Sequence, residues 1–335
     1  MEKTHEPLVS FVVLCYNHAL YIRDCIGSIL DQEGSYDFEI VIVDDASTDE
    51  SAEIIRSYSD PRIRFILHEK NLGHAATVND AMANTRGAYI ARIDADDRYR
   101  PYFLKETMKI FNMFPEVGVA YGDASLINKE GEFTCQRCDK VHGGKDFKGN
   151  EFVKLLEYNF ICSPAVIARR QAWRRALPAP GHLVFHDWYF TVMMARRHEF
   201  YYINSVIADY RVHPANLHSK IEKDKSWEAS VFSLLNLIYS QVEEEAELEE
   251  EKNRQRRRIY SAQYLSLADK YFGAGMGPDA RRCYLRAILY RPSYILRMSV
   301  IWRLLGTLMG RKNYESVKAM AKGLIGALRT KSRAG

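Results

Sequence analysis

FEIVIVDDASTDES, residues 38–51, decides the fold. Its first six residues are apolar apart from Glu39 and rich in Ile and Val, the composition of a strand buried on both faces. Two aspartates follow at once, then Ser47, Thr48 and Asp49, side chains that cap a following helix over 50–58. The same unit recurs on either side. LVSFVVL (8–14) is a strand followed by a helix over 18–31, with Leu20, Cys25, Ile26, Ile29 and Leu30 at helical spacing. IRFILH (63–68) precedes a helix over 73–85. AYIARID (88–94) precedes a helix running from Pro101 to Phe114, and VGVAYG (117–122) is a fifth strand. This alternation predicts an α/β fold, a mostly parallel sheet flanked by helices. In such sheets ligands bind beyond the carboxyl ends of the strands.

The rhythm changes after residue 122. Residues 123–150 are polar, carry Gly131, Gly143, Gly144 and Gly149, and read as a loop or hairpin. A helix at 150–158, a short strand at 165–168, a helix at 187–197 and a strand at 200–207 complete the first part. From 223 the pattern is helical. EEEAELEEEKNRQRRR (243–258) sets Glu ahead of Arg, which suits i,i+4 pairing on a solvated helix. LADKYFGAGMGPDARRCYLRAILYRPS (267–293) reads as two helices around a turn, with no second copy at a tetratricopeptide period. The expected organisation is three segments, 1–122, 123–222 and an all-α appendage over 223–335.

Apolar residues make up 47% and charged residues 27% of the chain, an ordinary globular balance. MEKTHEP has no apolar signal core, and no run of eighteen apolar residues occurs, so neither a secretory signal nor a membrane span is expected. The six cysteines are scattered, as in a reducing cytoplasm. Cys135 and Cys138, with His142 four residues on, supply half a zinc site at most; no second pair follows, and loop thiols are the simpler reading. The net charge of +4 hides an asymmetry: from Arg281 onward 13 Lys and Arg stand against one acid, Glu315. A basic tail on an acidic body points to an anionic surface, such as a membrane. No nucleic-acid module is recognisable, so no nucleic-acid partner is expected. In SYILRMSVIWRLLGTLMG (293–310), Ile295, Met298, Trp302, Leu305 and Met309 share one helix face, with Arg297 and Arg303 set apart. That face suits a membrane interface; the alternatives are packing on the first domain or a homodimer.

Ionisable residues gather where strands end. Asp44 and Asp45 follow FEIVIV, and Asp94, Asp96 and Asp97 follow AYIARI. Asp187 opens a helix, and His213 lies just beyond IADYRV. Carboxylates at one sheet edge raise each other's pKa unless a cation neutralises them. A hard divalent ion with bound phosphate does so, and it stabilises charge on a leaving diphosphate. Each cluster alone reads equally as a turn with N-caps, and a lone DXD is weak. Their combination at successive strand ends favours a nucleotide-and-metal site.

VSFVVLCYNHALYIRDCIGSILDQ (9–32), FEIVIVDDASTDES and NLGHAATVNDAMANTRGAYIARIDADDRYRP (71–101) together resemble the start of the family 2 glycosyltransferases, closely over 8–101 and loosely to 218. The resemblance implies a GT-A fold and inverting transfer of a sugar from a nucleotide-diphosphate sugar to an acceptor hydroxyl. Residues 1–122 would bind the donor and 123–222 the acceptor. Tyr16 and Asn17 stand where the family's opening loop approaches the nucleotide, and Asp45 matches the carboxylate on the base. Asp94 and Asp96 match the DXD pair, Asp94 or its neighbour at the ribose and Asp96 nearest the metal, with Asp97 placed to take over the metal role. His213 matches a histidine that completes the metal or diphosphate site, and Asp187 the catalytic base.

The family's Glu-Asp pair is here His186-Asp187, and an Arg often seen before Asn79 is absent, which leaves Asn71, Gly73, His74 or Asn79 to meet the diphosphate. Trp188 and Ser163 are expected on the acceptor side. The resemblance also implies Mn2+ or Mg2+, a donor with a UDP-sugar favoured, and a glycan or lipid-linked acceptor in cell-surface polysaccharide synthesis. The expected location is the cytoplasm, with peripheral attachment to the inner face of the plasma membrane. A nucleotidyltransferase would need a Gly-rich basic loop after the first strand, and LCYNHALY (14–21) has neither Gly nor Lys. An inactive scaffold would not need Asp45, Asp94, Asp96, Asp187 and His213 together.

Overall fold

A computed structural model describes residues 8–135, 141–214, 225–309 and 313–316. The chain divides into two compact units, 1–216 and 217–335. The first runs β1 (Val9–Cys15), α1 (Ile22–Leu30), β2 (Phe38–Asp44), α2 (Ser51–Arg56), β3 (Ile63–Leu67), α3 (His74–Ala83) and β4 (Tyr89–Asp94). It continues through β5 (Arg98–Tyr99), α4 (Phe103–Met113), β6 (Val117–Ile127), β7 (Phe133–Cys135), β8 (Phe147–Gly149) and α5 (Phe152–Glu157). A 3-10 turn at Ser163–Ala165, β9 (Val166–Arg169), α6 (Arg170–Ala176), α7 (His186–Ala195) and β10 (Glu199–Arg211) complete it.

These strands form one ten-stranded sheet in the order β3-β2-β1-β4-β9-β6-β10-β5, with β7 on β6 and β8 on β10. The block β3-β2-β1-β4 is parallel, as is β6 with β10. Between them β9 runs antiparallel to both β4 and β6. Every residue of β1 and β2 is buried, which is why both read as unbroken apolar runs. Helix α1 turns Ile22, Cys25, Ile26 and Ile29 onto that sheet, and α4 adds Phe103, Leu104, Met108 and Phe111 to the same core. Each such side chain contributes about 1.5–3 kcal/mol on full burial. Register then aligns the strand ends: Cys15 of β1 pairs with Asp44, and Leu14 with Asp94. The carboxylates of β2 and β4 therefore flank the end of β1.

Residues 1–122 and 123–222, expected as two parts of one domain, meet at residue 122 inside β6, whose eleven residues run to Ile127. Two details of the secondary structure differ from expectation. The stretch 123–150 contributes two short strands, β7 and β8, and α6 with the two-residue β5 have no counterpart in the sequence reading. The strand expected at 200–207 continues to Arg211, which carries it into the site.

The second unit comprises α8 (Ser226–Tyr239), α9 (Ala246–Gly273), α10 (Gly277–Tyr290), a 3-10 turn at Pro292–Leu296 and α11 (Met298–Met309). Its core packs Leu267, Tyr271 and Phe272 of α9 against Ala280, Cys283 and Tyr284 of α10. The charge blocks of α9 pair as their spacing predicts, Arg254 with both Glu250 and Glu251. No helix among the described residues is long and apolar enough to cross a membrane.

At the base of the first unit, away from the aligned strand ends, Glu39 is buried and accepts hydrogen bonds from Ser10 Oγ (2.7 Å) and from Arg86 Nε (2.9 Å). Gly87 donates its N–H to the same serine hydroxyl at 2.7 Å. A Cβ at Gly87 would lie 2.5 Å from Ser10 N and 2.6 Å from the Val9 carbonyl carbon, both backbone atoms that cannot rotate away. Gly87→Ala is therefore expected to cost about 1–3 kcal/mol, the usual range for overpacking. Urea denaturation checks this, and an unchanged midpoint would contradict the close approach.

Candidate active site

The site is built first by two loops that zip together beyond β1 and β2. Asp44 accepts from Ser47 N and Ser47 Oγ, both at 2.7 Å, and Ser47 Oγ in turn accepts from Asn17 N at 2.8 Å. Asn17 Oδ1 accepts from Thr48 N at 2.7 Å. Ser51 Oγ accepts from His18 N, and Asp49 Oδ2 from Ala19 N, both at 2.9 Å. The chain turns through left-handed backbone at Asn17 (φ 59°) and Ala46 (φ 60°), which asparagine tolerates and alanine does not favour. Asn17 is thus a brace between loops, while Tyr16 stands 45% exposed above them.

Asp45 pins a third loop. Its Oδ1 accepts from Leu72 N and its Oδ2 from Gly73 N, both at 2.8 Å, and Asn71 Nδ2 donates to its backbone carbonyl. Gly73 has φ 83°, where glycine carries no steric penalty. His68 lies between Asp45 (2.7 Å) and Asp80 (3.2 Å). Burial opposes both charges here, but the hydrogen bonds outweigh it. Asp45 is held below the usual carboxylate range, and His68 is raised above the usual imidazole value.

The DADD turn after β4 separates its carboxylates. Arg92 Nη2 grips both oxygens of Asp94, at 2.9 and 2.8 Å, and His74 Nε2 lies 3.7 Å from Asp94 Oδ1. Burial disfavours the Asp94 charge, but the Arg92 guanidinium and the His74 ring hold this carboxyl well below the usual range. Asp96 Oδ2 meets His213 Nε2 at 3.0 Å. Asp97 turns the other way and accepts from Arg211 N at 2.8 Å. Burial beside Asp96 and Asp94 pushes the Asp97 carboxyl well above the usual range. Arg211 is the knot: its Nε donates to the Asp96 carbonyl at 2.7 Å, its Nη2 reaches Asp24 at 3.2 Å, and its plane covers the Tyr21 ring at 4.6 Å. That fixes the end of β10 to the turn, so His213, two residues on, points at Asp96.

One ligand atom from each of His18, Asp96 and His213 falls within a mutual 4.8 Å, and this is the metal-competent cluster among the described residues. His18 Nδ1 is buried with no hydrogen-bond partner. An orphaned imidazole nitrogen beside a carboxylate and a second imidazole fits a divalent cation. Two nitrogen donors favour Mn2+ over Mg2+, which takes oxygen ligands. Asp97, expected as an alternative ligand, lies outside this cluster. His18 carried no signal in the sequence beyond its place after Tyr16 and Asn17.

On the other side, Asp187 sits in the first turn of α7, where the helix N-terminus favours a negative charge, and Asn159 Nδ2 donates to its Oδ2 at 3.1 Å. Asp187, Ser163 and Thr191 line a cavity with an apolar wall that includes Ile161, Trp173 and Phe190. Arg92 lines it too, so a single guanidinium touches Asp94 and borders the cavity of Asp187. Trp188, expected to meet an acceptor, is turned into the core, with Nε1 donating to the Leu155 carbonyl at 2.7 Å. His186 stacks on His74, with ring centroids 4.9 Å apart and planes 10° from parallel. Burial, with the His74 charge adding to it, pushes His186 down to about 4. Cys135 is exposed at the end of β7, and Cys138 lies outside the described residues.

A parallel β-block ending in this set of carboxylates, with β9 reversed beside it, is the sheet of a GT-A glycosyltransferase. The chain belongs to glycosyl transferase family 2, whose sequence model matches residues 10–173. It is 30% identical over 251 residues to the uncharacterised protein Rv1520 of Mycobacterium tuberculosis, 71% of each chain. It is 34% identical over 128 residues to TuaG of Bacillus subtilis, named as a teichuronic acid biosynthesis glycosyltransferase, which covers 38% of this chain and 50% of that one. In fold it resembles S. aureus TarS 1–349 in complex with UDP-GlcNAc, with a TM-score of 0.62 at 16% identity over 93% of this chain and 92% of that one. It also resembles the mannosyltransferase PcManGT of Pyrobaculum calidifontis in complex with GDP-Man and Mn2+, with a TM-score of 0.60 at 17% identity over 91% and 87%.

The His68 pair sets a pH dependence. A raised folded pKa contributes stability that is fully present below the ordinary imidazole value near 6.5 and is lost as pH rises through the folded value. The melting temperature should therefore fall as pH rises above about 6.5, by roughly 2–4 °C in all, an effect on the order of 1 kcal/mol. His68→Gln should flatten that part of the profile, measured by differential scanning fluorimetry; parallel profiles for the two proteins would rule the pair out as its source.

Proposed function

We propose that this family 2 glycosyltransferase transfers a sugar from a nucleotide-diphosphate sugar to an acceptor hydroxyl with inversion, Asp187 acting as general base. The reading rests on one observation: Arg92 ties Asp94, in the carboxylate turn beside the His18–Asp96–His213 cluster, to the cavity that Asp187 lines. A donor lying across the strand ends has its nucleotide near Tyr16, Asn17, Asp45 and Asn71 and its ribose at Asp94. The diphosphate then faces Asp96, His213 and His18, which would hold Mn2+. When bound, the ion neutralises the diphosphate and stabilises the charge that develops as it leaves.

The remaining work falls to the chain itself. Asn159 fixes one oxygen of Asp187, which leaves the other to accept the proton of the attacking hydroxyl. Arg92 keeps positive charge beside Asp94, which favours its ionised form, and borders the cavity that Asp187 lines. Ser163 and Thr191 supply hydroxyls in the cavity wall for the acceptor. One base is enough for a single displacement. A retaining double displacement would need a nucleophilic carboxylate beside the anomeric carbon, and the described cavity offers none besides Asp187. The UDP-GlcNAc held by TarS supports a UDP-sugar donor, with a GDP-sugar the second choice from PcManGT. The name of TuaG supports an acceptor in a cell-surface polysaccharide.

A thermal-shift screen of UDP- and GDP-sugars with and without Mn2+ tests the donor, because selective binding raises the melting temperature by mass action. One donor should stand out, and only with the metal; a chain indifferent to every nucleotide sugar sinks the reading.

Asp96→Ala should abolish the metal-dependent shift. His18→Ala and His213→Ala should each weaken Mn2+ binding on the order of tenfold, read by electron paramagnetic resonance of free Mn2+. Unaltered Mn2+ affinity in His18→Ala would remove that residue from the ligand set.

Asp187→Asn should retain donor binding while turnover falls about 10²- to 10⁴-fold, the usual contribution of a general base. Arg92→Met should impair both, because it loosens Asp94 as well as Asp187. Loss of donor affinity in Asp187→Asn with turnover preserved would reverse the assignment, and product analysis should show an inverted anomeric centre.

A further inference from the structure

Helix α11 shows solvent the face that an amphipathic helix ordinarily buries. Val300, Gly306 and Thr307 turn inward. Met298, Trp302, Leu305 and Met309, spaced i, i+4, i+7 and i+11 on one side, are all exposed, Met298 at 63% and Trp302 at 46%. The 3-10 turn before the helix extends this with Ile295 (59%) and Leu296 (81%). Seven of the fifteen residues from Ile295 to Met309 are exposed large apolar side chains. Soluble proteins rarely leave so continuous an apolar stretch uncovered unless something docks there.

Charge identifies the occupant. Arg291 and Arg297 pack on the Tyr294 ring, at 5.3 and 4.6 Å, and not on a carboxylate. Arg286 is exposed on α10. By contrast Arg303 and Arg282 of the same unit, also partly exposed, are paired with carboxylates, Arg303 with Asp269 and Arg282 with Glu228, both at 2.6 Å. From Arg281 onward the chain carries 13 Lys and Arg against Glu315 alone. A second copy meeting this face across a twofold axis would set the same positive patch against itself. Residues 311–335 hold seven Lys and Arg against that one acid, so they bring no counter-charge either. An anionic lipid surface complements both properties at once: apolar side chains enter the boundary between head groups and acyl chains, and the arginines meet the phosphates.

We propose that the face formed by Ile295–Met309 docks the C-terminal unit on an anionic membrane. No step of the sugar transfer is needed for this, so the test uses the full chain without nucleotide sugar. The protein is mixed with vesicles of phosphatidylglycerol or of phosphatidylcholine, and flotation and tryptophan emission are recorded. Binding to phosphatidylglycerol should exceed that to phosphatidylcholine by on the order of tenfold or more. It should be lost at about 0.5 M NaCl, where screening leaves a Debye length of about 4 Å. Emission should shift to the blue on binding. Trp302→Phe should float but lose most of the shift, because Trp173 and Trp188 are already buried and Trp227 is partly covered, with Lys270 over its ring.

The pair Met298→Glu and Trp302→Glu should reduce binding at least about tenfold with unchanged circular dichroism, since both positions face solvent. Flotation of that double variant at wild-type level overturns the proposal. So does equal binding to the two lipids, or no binding to either. Sedimentation showing a dimer that the double variant converts to monomer also overturns it, in favour of a contact between copies.

Discussion

Two buried arginines make the carboxylate turn after β4 tenable. Asp94, Asp96 and Asp97 fall within four residues, and Asp96 and Asp97 are nearly inaccessible to water. Ionised carboxylates so placed repel one another and lose hydration, a penalty of several kcal/mol per ion unless it is offset. Arg92 offsets it from β4 itself, two residues upstream, by gripping Asp94. Arg211 holds the turn from the far end of the sheet: its backbone N–H donates to Asp97 Oδ1, and its guanidinium donates to the Asp96 carbonyl and reaches Asp24. Both guanidiniums are almost wholly buried. On the third side Asp96 Oδ2 meets His213 Nε2 at 3.0 Å, and His18 Nδ1, whose ring belongs to the same cluster, is buried without a hydrogen-bond partner.

The same reasoning sorts the motif at the end of β2. Of its acidic residues, Asp44 and Asp49 are consumed in joining the loops after β1 and β2. Asp45 spends its two oxygens on the amides of Leu72 and Gly73. The segment VDDAST is a turn, as its composition suggests, but it does not supply the N-cap: α2 begins at Ser51 after Glu50, whose side chain makes no cap bond, and the acidic side chains of the motif are engaged mainly with the neighbouring loops. Any contact of Asp45 with a nucleotide base shares a carboxylate already carrying three hydrogen bonds, two from the loop and one from His68. Its position relative to the nucleotide is then set by the loop, and the loop by Gly73.

What the sequence made legible was local. Strands β1, β2 and β4 are apolar runs interrupted only by Ser10, Glu39 and Arg92, with an aspartate ending β2 and β4, so their type followed from the sequence. The position of Asp187 in the first turn of α7 was legible for the same reason. What stayed hidden needed tertiary contact. His18 and His213 are 195 positions apart and meet because Arg211 ties β10 to the DADD turn. Arg92 looked like one polar interruption in an apolar strand, and nothing local showed that it grips Asp94 and borders the cavity that Asp187 lines. Trp188 misled in the opposite sense: proximity to Asp187 in sequence suggested a shared cavity, but adjacent helical residues point about 100° apart, and this one points into the core.

The stacked pair His74–His186 shows how the two sides of the site are held in one geometry. His186 Nε2 lies 3.0 Å from the Pro180 carbonyl, which can only accept, so that nitrogen carries a proton. With its pKa pushed down to about 4 the ring is neutral near pH 7, and its Nδ1 is an acceptor. His74 Nδ1, 3.0 Å away, must then be the donor, which leaves His74 Nε2 facing Asp94. The chain Asp94–His74–His186–Pro180 thus assigns the proton at each nitrogen where a bond is made. It spans from the carboxylate turn to the residue before Asp187, parallel to the direct link through Arg92. A glutamate at position 186, as in the family's Glu-Asp pair, would accept from His74 equally well, but it would put a negative charge in a buried place next to Asp187. Histidine at this position makes the hydrogen bond to His74 and carries no negative charge.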